Sequence, residues 1–243
     1  MPNYDYLCPV GRVYISPYQQ PNLLHELGET SDFKITVDSE TKELANHRTE
    51  ARGIEAMLTR TKSVKVSLTI HDFNYDNALF LLNGMGKKLP AGAATEIFEV
   101  ANNHPIMLSS LIGAGATISV KSLDESVTYT LGSDFNLVNN VIIPKSSITG
   151  KIKVTYDSVD SSKIAALLLR SAEYKLYFDG INEYNGKSIK LDFHRVRFTP
   201  SKDLSLITED FNKFSIEGVV LREPNDFDPL NPESEFFNII QEN

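Results

Sequence analysis

From Ser63 to His71 the chain reads Ser-Val-Lys-Val-Ser-Leu-Thr-Ile-His, apolar at every even position and polar at every odd one. Successive side chains of an extended strand point to opposite faces, so this segment specifies a strand with one buried and one wet face. Phe33–Val37, Ile152–Tyr156 and Ile189–Phe193 repeat the pattern. Such alternation belongs to antiparallel sheets, since parallel sheets are covered on both sides. After Phe193 the apolar parity moves to Val196 and Phe198, which predicts a bulge near His194–Arg195. A similar break is expected at Gly218, between Phe214/Ile216 and Val219/Leu221.

Helical signals are few. Asn74 to Leu82 is short and apolar, with Asn83–Gly84 as a stop. Ser161 to Arg170 is a second expected helix, since Ile164, Leu167 and Leu168 fall at i, i+3 and i+4 behind a capping serine. Asn185–Gly186, between Tyr174–Phe178 and Ile189–Phe198, predicts a hairpin.

Composition narrows the function classes. The 243 residues carry 24 Lys and Arg against 32 Asp and Glu, a net charge of −8 that gives nucleic acid no basic footprint. No apolar run approaches the roughly 20 residues that span a bilayer, so no membrane insertion is expected. Cys8 is the single cysteine, which precludes an internal disulfide and favours an intracellular origin. The amino terminus lacks the basic and apolar regions of a signal peptide.

Motifs for chemistry are sparse. Gly-x-Ser-x-Gly is absent, and Gly113–Thr117 lacks the Gly-Lys-Ser/Thr that completes a phosphate-cradling loop; it reads as a lead into Ile118–Val120. His25, His47, His71, His104 and His194 form no pair spaced for one metal ion. Asp226-Phe-Asp228 lacks the further oxygen ligands of a calcium loop. The reading is a chain without catalytic, cofactor or metal residues.

Two segments do not fit a compact sandwich. Glu40 to Lys62 separates two strands with alternating charge at Glu43, His47, Arg48, Glu50, Arg52, Glu55 and Arg60, and an apolar edge is expected at Ile54, Met57 and Leu58. It is either a solvated excursion or an arm that contacts another subunit. The second is the acidic tail from Glu223, which holds six carboxylates and no lysine or arginine. Asn231-Pro232-Glu233 is a helix-start signal, followed by an apolar patch of Phe236, Phe237, Ile239 and Ile240 that docks on the chain's own body or on a neighbour.

Leu27-Gly-Glu-Thr-Ser-Asp-Phe-Lys-Ile-Thr-Val37, the charged excursion, Lys65–Ile70 and the Asn74–Leu82 helix together resemble the tail tube (major tail) proteins of long non-contractile phage tails. Tyr174–Gly180, Ile189–Pro200, Leu204–Thr208, Asp210–Phe211 and Phe214–Leu221 match that family's closing strands in order and character. Tyr129, Gly132-x-Asp134-Phe135, Ile148-Thr-Gly150 and Val154-Thr-Tyr156 look like a small β module found in phage tail proteins. The resemblance runs from about Leu24 to Arg222 and rests on strands and turns.

It implies a mainly β, antiparallel sandwich or partly closed barrel with one flanking helix and an inserted β module. The expected divisions are 1–88 with an arm at 40–62, an insert at 89–160, closing strands at 161–222 and a tail at 223–243. It implies a virion subunit, assembled in the host cytoplasm, whose six-membered rings stack into a conduit for DNA. Its partners would be further copies, the tape measure, tail terminator and distal tail proteins, and viral DNA in transit. Candidate contact residues are Glu43, His47, Arg48, Glu50, Arg52, Arg60, Phe236, Phe237, Ile239 and Ile240. Six copies would carry −48, and an acid-lined bore would let phosphates slide. A tail-tip adaptor, a related injection-machine tube protein, a glycan-binding sandwich and an enzyme with dispersed catalytic residues remain as alternatives.

Overall fold

A computed structural model describes residues 6–48, 53–101, 104–145, 148–224, 228–230 and 232–243. Strands β1 Pro9–Pro17, β2 His25–Glu26, β3 Thr30–Ala45 and β4 Ile54–Ile70 precede helix α1, Tyr75–Leu81. There follow β5 Met85–Leu89, β6 Gly92–Val100, β7 Ile106–Met107, β8 Ile118–Ser122, β9 Thr128–Tyr129, β10 Phe135–Val138, β11 Val141–Pro144, β12 Gly150–Ser158 and β13 Ser161–Ala165. The closing strands are β14 Tyr174–Asn182, β15 Lys187–Phe198, β16 Phe214–Val220 and β17 Phe237–Gln241. The protein is mainly β, 55% strand and 3% helix, with antiparallel sheets and none closed into a barrel. No helix among the described residues is long and apolar enough to cross a membrane.

The chain divides into two compact units, Met1–Met85 with Ile164–Asn243, and Gly86–Lys163. In the first, the sheet runs β2-β1-β14-β15-β16-β4-β3, every pair antiparallel. Strand β14 takes one edge of β15, while β17 (against Ile189–Phe193) and β16 (against Val196–Phe198) divide the other end to end. Phe33 of β3, at the end of the strand order, nevertheless lies 5.9 Å from Phe178 of β14 and 6.0 Å from Phe193 of β15. The sheet therefore curls until its apolar faces meet, enclosing Val64, Val66, Leu68, Leu176, Phe193 and Val196.

The expected bulge is present. Tyr174 pairs with Val196 and Leu176 with Phe193, so three residues of β15 span two of β14, and the inward face passes from Phe193 to Val196. The expected break at Gly218 is not. β16 keeps an unbroken register with β4 and buries Phe214, Ile216, Gly218 and Val220 in strict alternation. Gly218 is an inward position left without a side chain because a Cβ there would lie 2.8 Å from Phe198 and Val196. Gly218→Ala is therefore expected to cost about 1–3 kcal/mol by overpacking, read as a lower urea midpoint at unchanged slope.

Helix α1 starts where expected. The Asn74 side chain accepts the Asn77 N–H at 2.8 Å, and Asn83 takes the left-handed exit at φ 43° ahead of Gly84. The second expected helix does not form. Ser161–Ala165 is β13, paired with β5, and Leu167 (φ 62°) and Leu169 donate to the carbonyls of Leu82 and Asn83. Partners distant in sequence thus claim the backbone of a segment whose local propensity was helical.

The second unit packs a four-stranded sheet, β6-β12-β8-β9, and a three-stranded sheet, β10-β11-β7, around Val120, Phe135, Ile142, Ile152, Val154 and Tyr156. The Asp134 carboxylate accepts the Thr130 N–H at 2.7 Å beside Gly132 (φ 86°), which turns the chain into Phe135. Glu96 accepts the Ser109 N–H and hydroxyl, the latter at 2.6 Å, and the Tyr156 hydroxyl. Burial opposes its charge, yet the bonds from Ser109 and Tyr156 outweigh burial and hold its pKa below the usual carboxylate value. A lowered pKa stabilises the fold above the unfolded carboxylate's pKa, and the gain is lost as pH falls through the folded value. This unit is expected to lose stability in acid, below about pH 4.5, and Glu96→Gln to flatten that dependence in unfolding measured at pH 7 and pH 3.5.

Candidate functional site

The segment expected to be a charged excursion is a β ribbon. β3 and β4 stay paired from Asp38↔Ser63 outward, through Ser39↔Thr61 and Thr41↔Thr59 to Ala45↔Ile54. Lys62 is an extra residue where the register shifts between Asp38 and Ser39, so the ribbon leaves the sheet at a bulge. Seven residues of β3, Ser39 to Ala45, make it about 24 Å long at roughly 3.4 Å per residue. Inside the sheet Val64, Val66 and Leu68 are buried, whereas Ser39–Ala45 and Ile54–Lys62 are exposed throughout. The ribbon thus has two wet faces.

Cross-strand pairing sorts its side chains. Glu40, Lys42 and Leu44 share a face with Arg60, Leu58 and Ala56, while Glu43 stands opposite Met57 on the other. Met57 and Leu58, expected on one apolar edge, are consecutive strand residues and point to opposite faces. Leu44 (58% exposed), Ile54 (61%) and Met57 (65%) lie in solvent. His47 and Arg48 are exposed just past β3, where the Arg48 N–H meets the Asn46 side chain at 2.8 Å. Glu50 and Arg52 lie outside the described residues. Leu44 was missed because a strand with two wet faces carries no period-two signal.

The carboxyl-terminal patch divides. Of the expected helix start, Asn231 lies outside the described residues, and the chain beyond Glu233 forms strand β17 instead of a helix, because the free edge of β15 offers a ladder. Phe236 and Phe237 pack against the chain's own core, with Phe237 stacked 5.1 Å from Phe193. Ile239 and Ile240 remain exposed. The approach to β17 is pinned by Arg222, which grips Glu235 through two bonds of 2.5 and 2.6 Å, and by the Tyr18 hydroxyl, which donates to Glu223.

Charge is unevenly placed. Six of the eight net negative charges belong to Glu223–Asn243. On the wet face of the main sheet the signs interleave: Arg12 pairs with Asp179, Asp179 with Lys190, and Lys65 lies 3.2 Å from Asp38. Most of the net negative charge therefore lies in the tail, and this face carries both signs.

Among the described residues no group of three or more His, Cys, Asp or Glu side chains converges as a metal site. A family model described as "Protein of unknown function UCP028589" matches residues 6–239. The chain belongs to that family. The match takes in both units, the ribbon and β17 as far as Ile239. No curated protein matches the chain.

Proposed function

We propose that this chain is a structural assembly subunit, one copy of a six-membered ring that stacks into the hollow tube of a phage tail. The observation that carries the reading is the β3–β4 ribbon, exposed on both faces over its outer length. An isolated two-stranded ribbon is marginal in water, and bare strand edges that pair with other chains are ordinarily selected against in monomers. A second chain supplies what the ribbon lacks, namely cover for Leu44, Met57 and Leu58 and partners for its charges. The order of strands, charged segment, helix and small β module in the sequence, which resembles that of tail tube proteins, supports the same reading. No turnover and no cofactor are needed, and DNA is only in transit. In such a tube its partners would be further copies together with the tape measure, tail terminator and distal tail proteins.

Negative-stain electron microscopy of the purified chain across a tenfold concentration range tests this. Rings or hollow tubes of uniform width are expected. Dispersed monomers throughout would remove the reading.

A further inference from the structure

Within the first unit, the β1–β2 connection, α1 and the approach to β14 enclose a groove of about 460 Å³ with apolar walls from Ile15, Leu23, Leu24, Phe80, Leu169 and Tyr174. Leu23 and Leu24 stand at its rim, more than half exposed. Ser16 also lines it; the residue is fully buried and its hydroxyl has no hydrogen-bond partner among the described residues. A buried hydroxyl without a partner is costly, and an apolar groove holding one such group has the make-up of a binding site. His25 lines the groove too. Asn77 spends its amide N–H groups on the carbonyls of Leu27 and Asp72, so its oxygen accepts from His25 Nε2 at 2.9 Å.

The same unit carries an apolar projection that its own fold leaves uncovered. In the connection from β15 to β16, Leu206 is 80% exposed, Ile207 99% and Phe211 95%. Single exposed apolar residues are ordinary, but three large ones within six positions make a patch. Its charges complement the groove: Glu209 and Asp210 stand between the apolar side chains, against the Arg170 that follows Leu169, while Lys213 matches Asp76 on the groove wall.

We infer that the groove receives the Leu204–Phe211 segment of a second copy of this chain, whose backbone satisfies Ser16. The inference rests on the self-assembly reading above and names a contact that would build it. Three large side chains inserted into a groove bury on the order of 1,000 Å² in total, at the lower limit for a specific interface. The pairwise contact is therefore weak and becomes lasting only when ring closure multiplies it. Segment and groove are different surfaces, so the contact is head-to-tail and either closes into a ring or continues as a filament.

Cysteine trapping captures a contact of this strength. In a Cys8→Ser background, one full-length variant carries Ile207→Cys, a second Leu24→Cys, and a control Lys88→Cys; all three replaced residues are exposed or on a rim. Under mild oxidation, the mixture of Ile207→Cys and Leu24→Cys is expected to give at least ten times the disulfide dimer of Ile207→Cys mixed with the control. A chain carrying both substitutions is expected to form a ladder of oligomers. Dimer at the control level overturns the inference, as does a double variant that closes on itself as a compact monomer. Rings by microscopy without the specific cross-link would sink this contact and leave the tube reading standing. The specific cross-link with neither rings nor tubes would sink the tube reading and leave this contact.

Discussion

Replacing Glu40–Arg60 by a two-residue Asn-Gly turn is expected to abolish rings and tubes while leaving the fold intact. The excised residues lie beyond the bulge at Lys62; those in the two strands, Glu40–Ala45 and Ile54–Arg60, are exposed, and none of them belongs to the buried cluster of the first unit. Surface changes of that kind move stability by about 0.5 kcal/mol or less, so the melting temperature should shift by no more than about 2 °C. Microscopy and circular dichroism on the same sample separate the two effects. Tubes of normal width from the shortened chain would show that the ribbon is not the assembly contact. A collapse of the melting temperature would show instead that its charged pairs support the sheet. Asn-Gly suits the new turn, since both positions accept the positive φ that a two-residue hairpin demands.

The largest stability loss is expected from Phe193→Ala. Phe193 is fully buried, lies 6.0 Å from Phe33 and stacks at 5.1 Å on Phe237, so a single ring of β15 joins β3, at one end of the sheet, to β17. Truncating a buried phenylalanine costs about 3–5 kcal/mol through lost transfer energy and the cavity left behind. Phe237→Ala should cost less, since Phe237 is only half-buried. The units have separate buried clusters, so denaturation should show the loss in the transition of the first unit only. Hydrogen exchange should report faster exchange across Phe237–Gln241 in the Phe193→Ala protein. A first-unit transition within about 1 kcal/mol of the parent would show that the aromatic stack does not anchor this strand.

The parity rule carried much of the fold. Val64 through Ile70, the switch from Phe193 to Val196 and the helix at Asn74–Leu82 with its Asn83–Gly84 stop were legible because each depends on neighbours a few residues apart. Gly218 misled because a missing side chain resembles a change of face; the reason for the gap, the Phe198 ring, lies 20 residues away. Ser161–Arg170 misled because the backbone partners of Leu167 and Leu169, Leu82 and Asn83, lie 85 and 86 residues upstream, and spacing alone does not register them. The ribbon had the charge of a loop because neither of its faces is buried, and only pairing across the turn makes it a strand.

The amino-acid sequence by itself determined the antiparallel class, the helix after Asn74, the buried faces and the concentration of negative charge in the tail, all of which follow from local spacing and composition. Tertiary structure decided what those pieces do. It placed β16 and β17 end to end on one edge of β15, packed Phe237 against the core, interleaved charge along the wet face, and set the groove at Ser16 in the same unit as the bare projection at Ile207. Such outcomes depend on which distant surfaces are left without a partner once the core has closed, and a linear pattern of side chains does not encode that remainder.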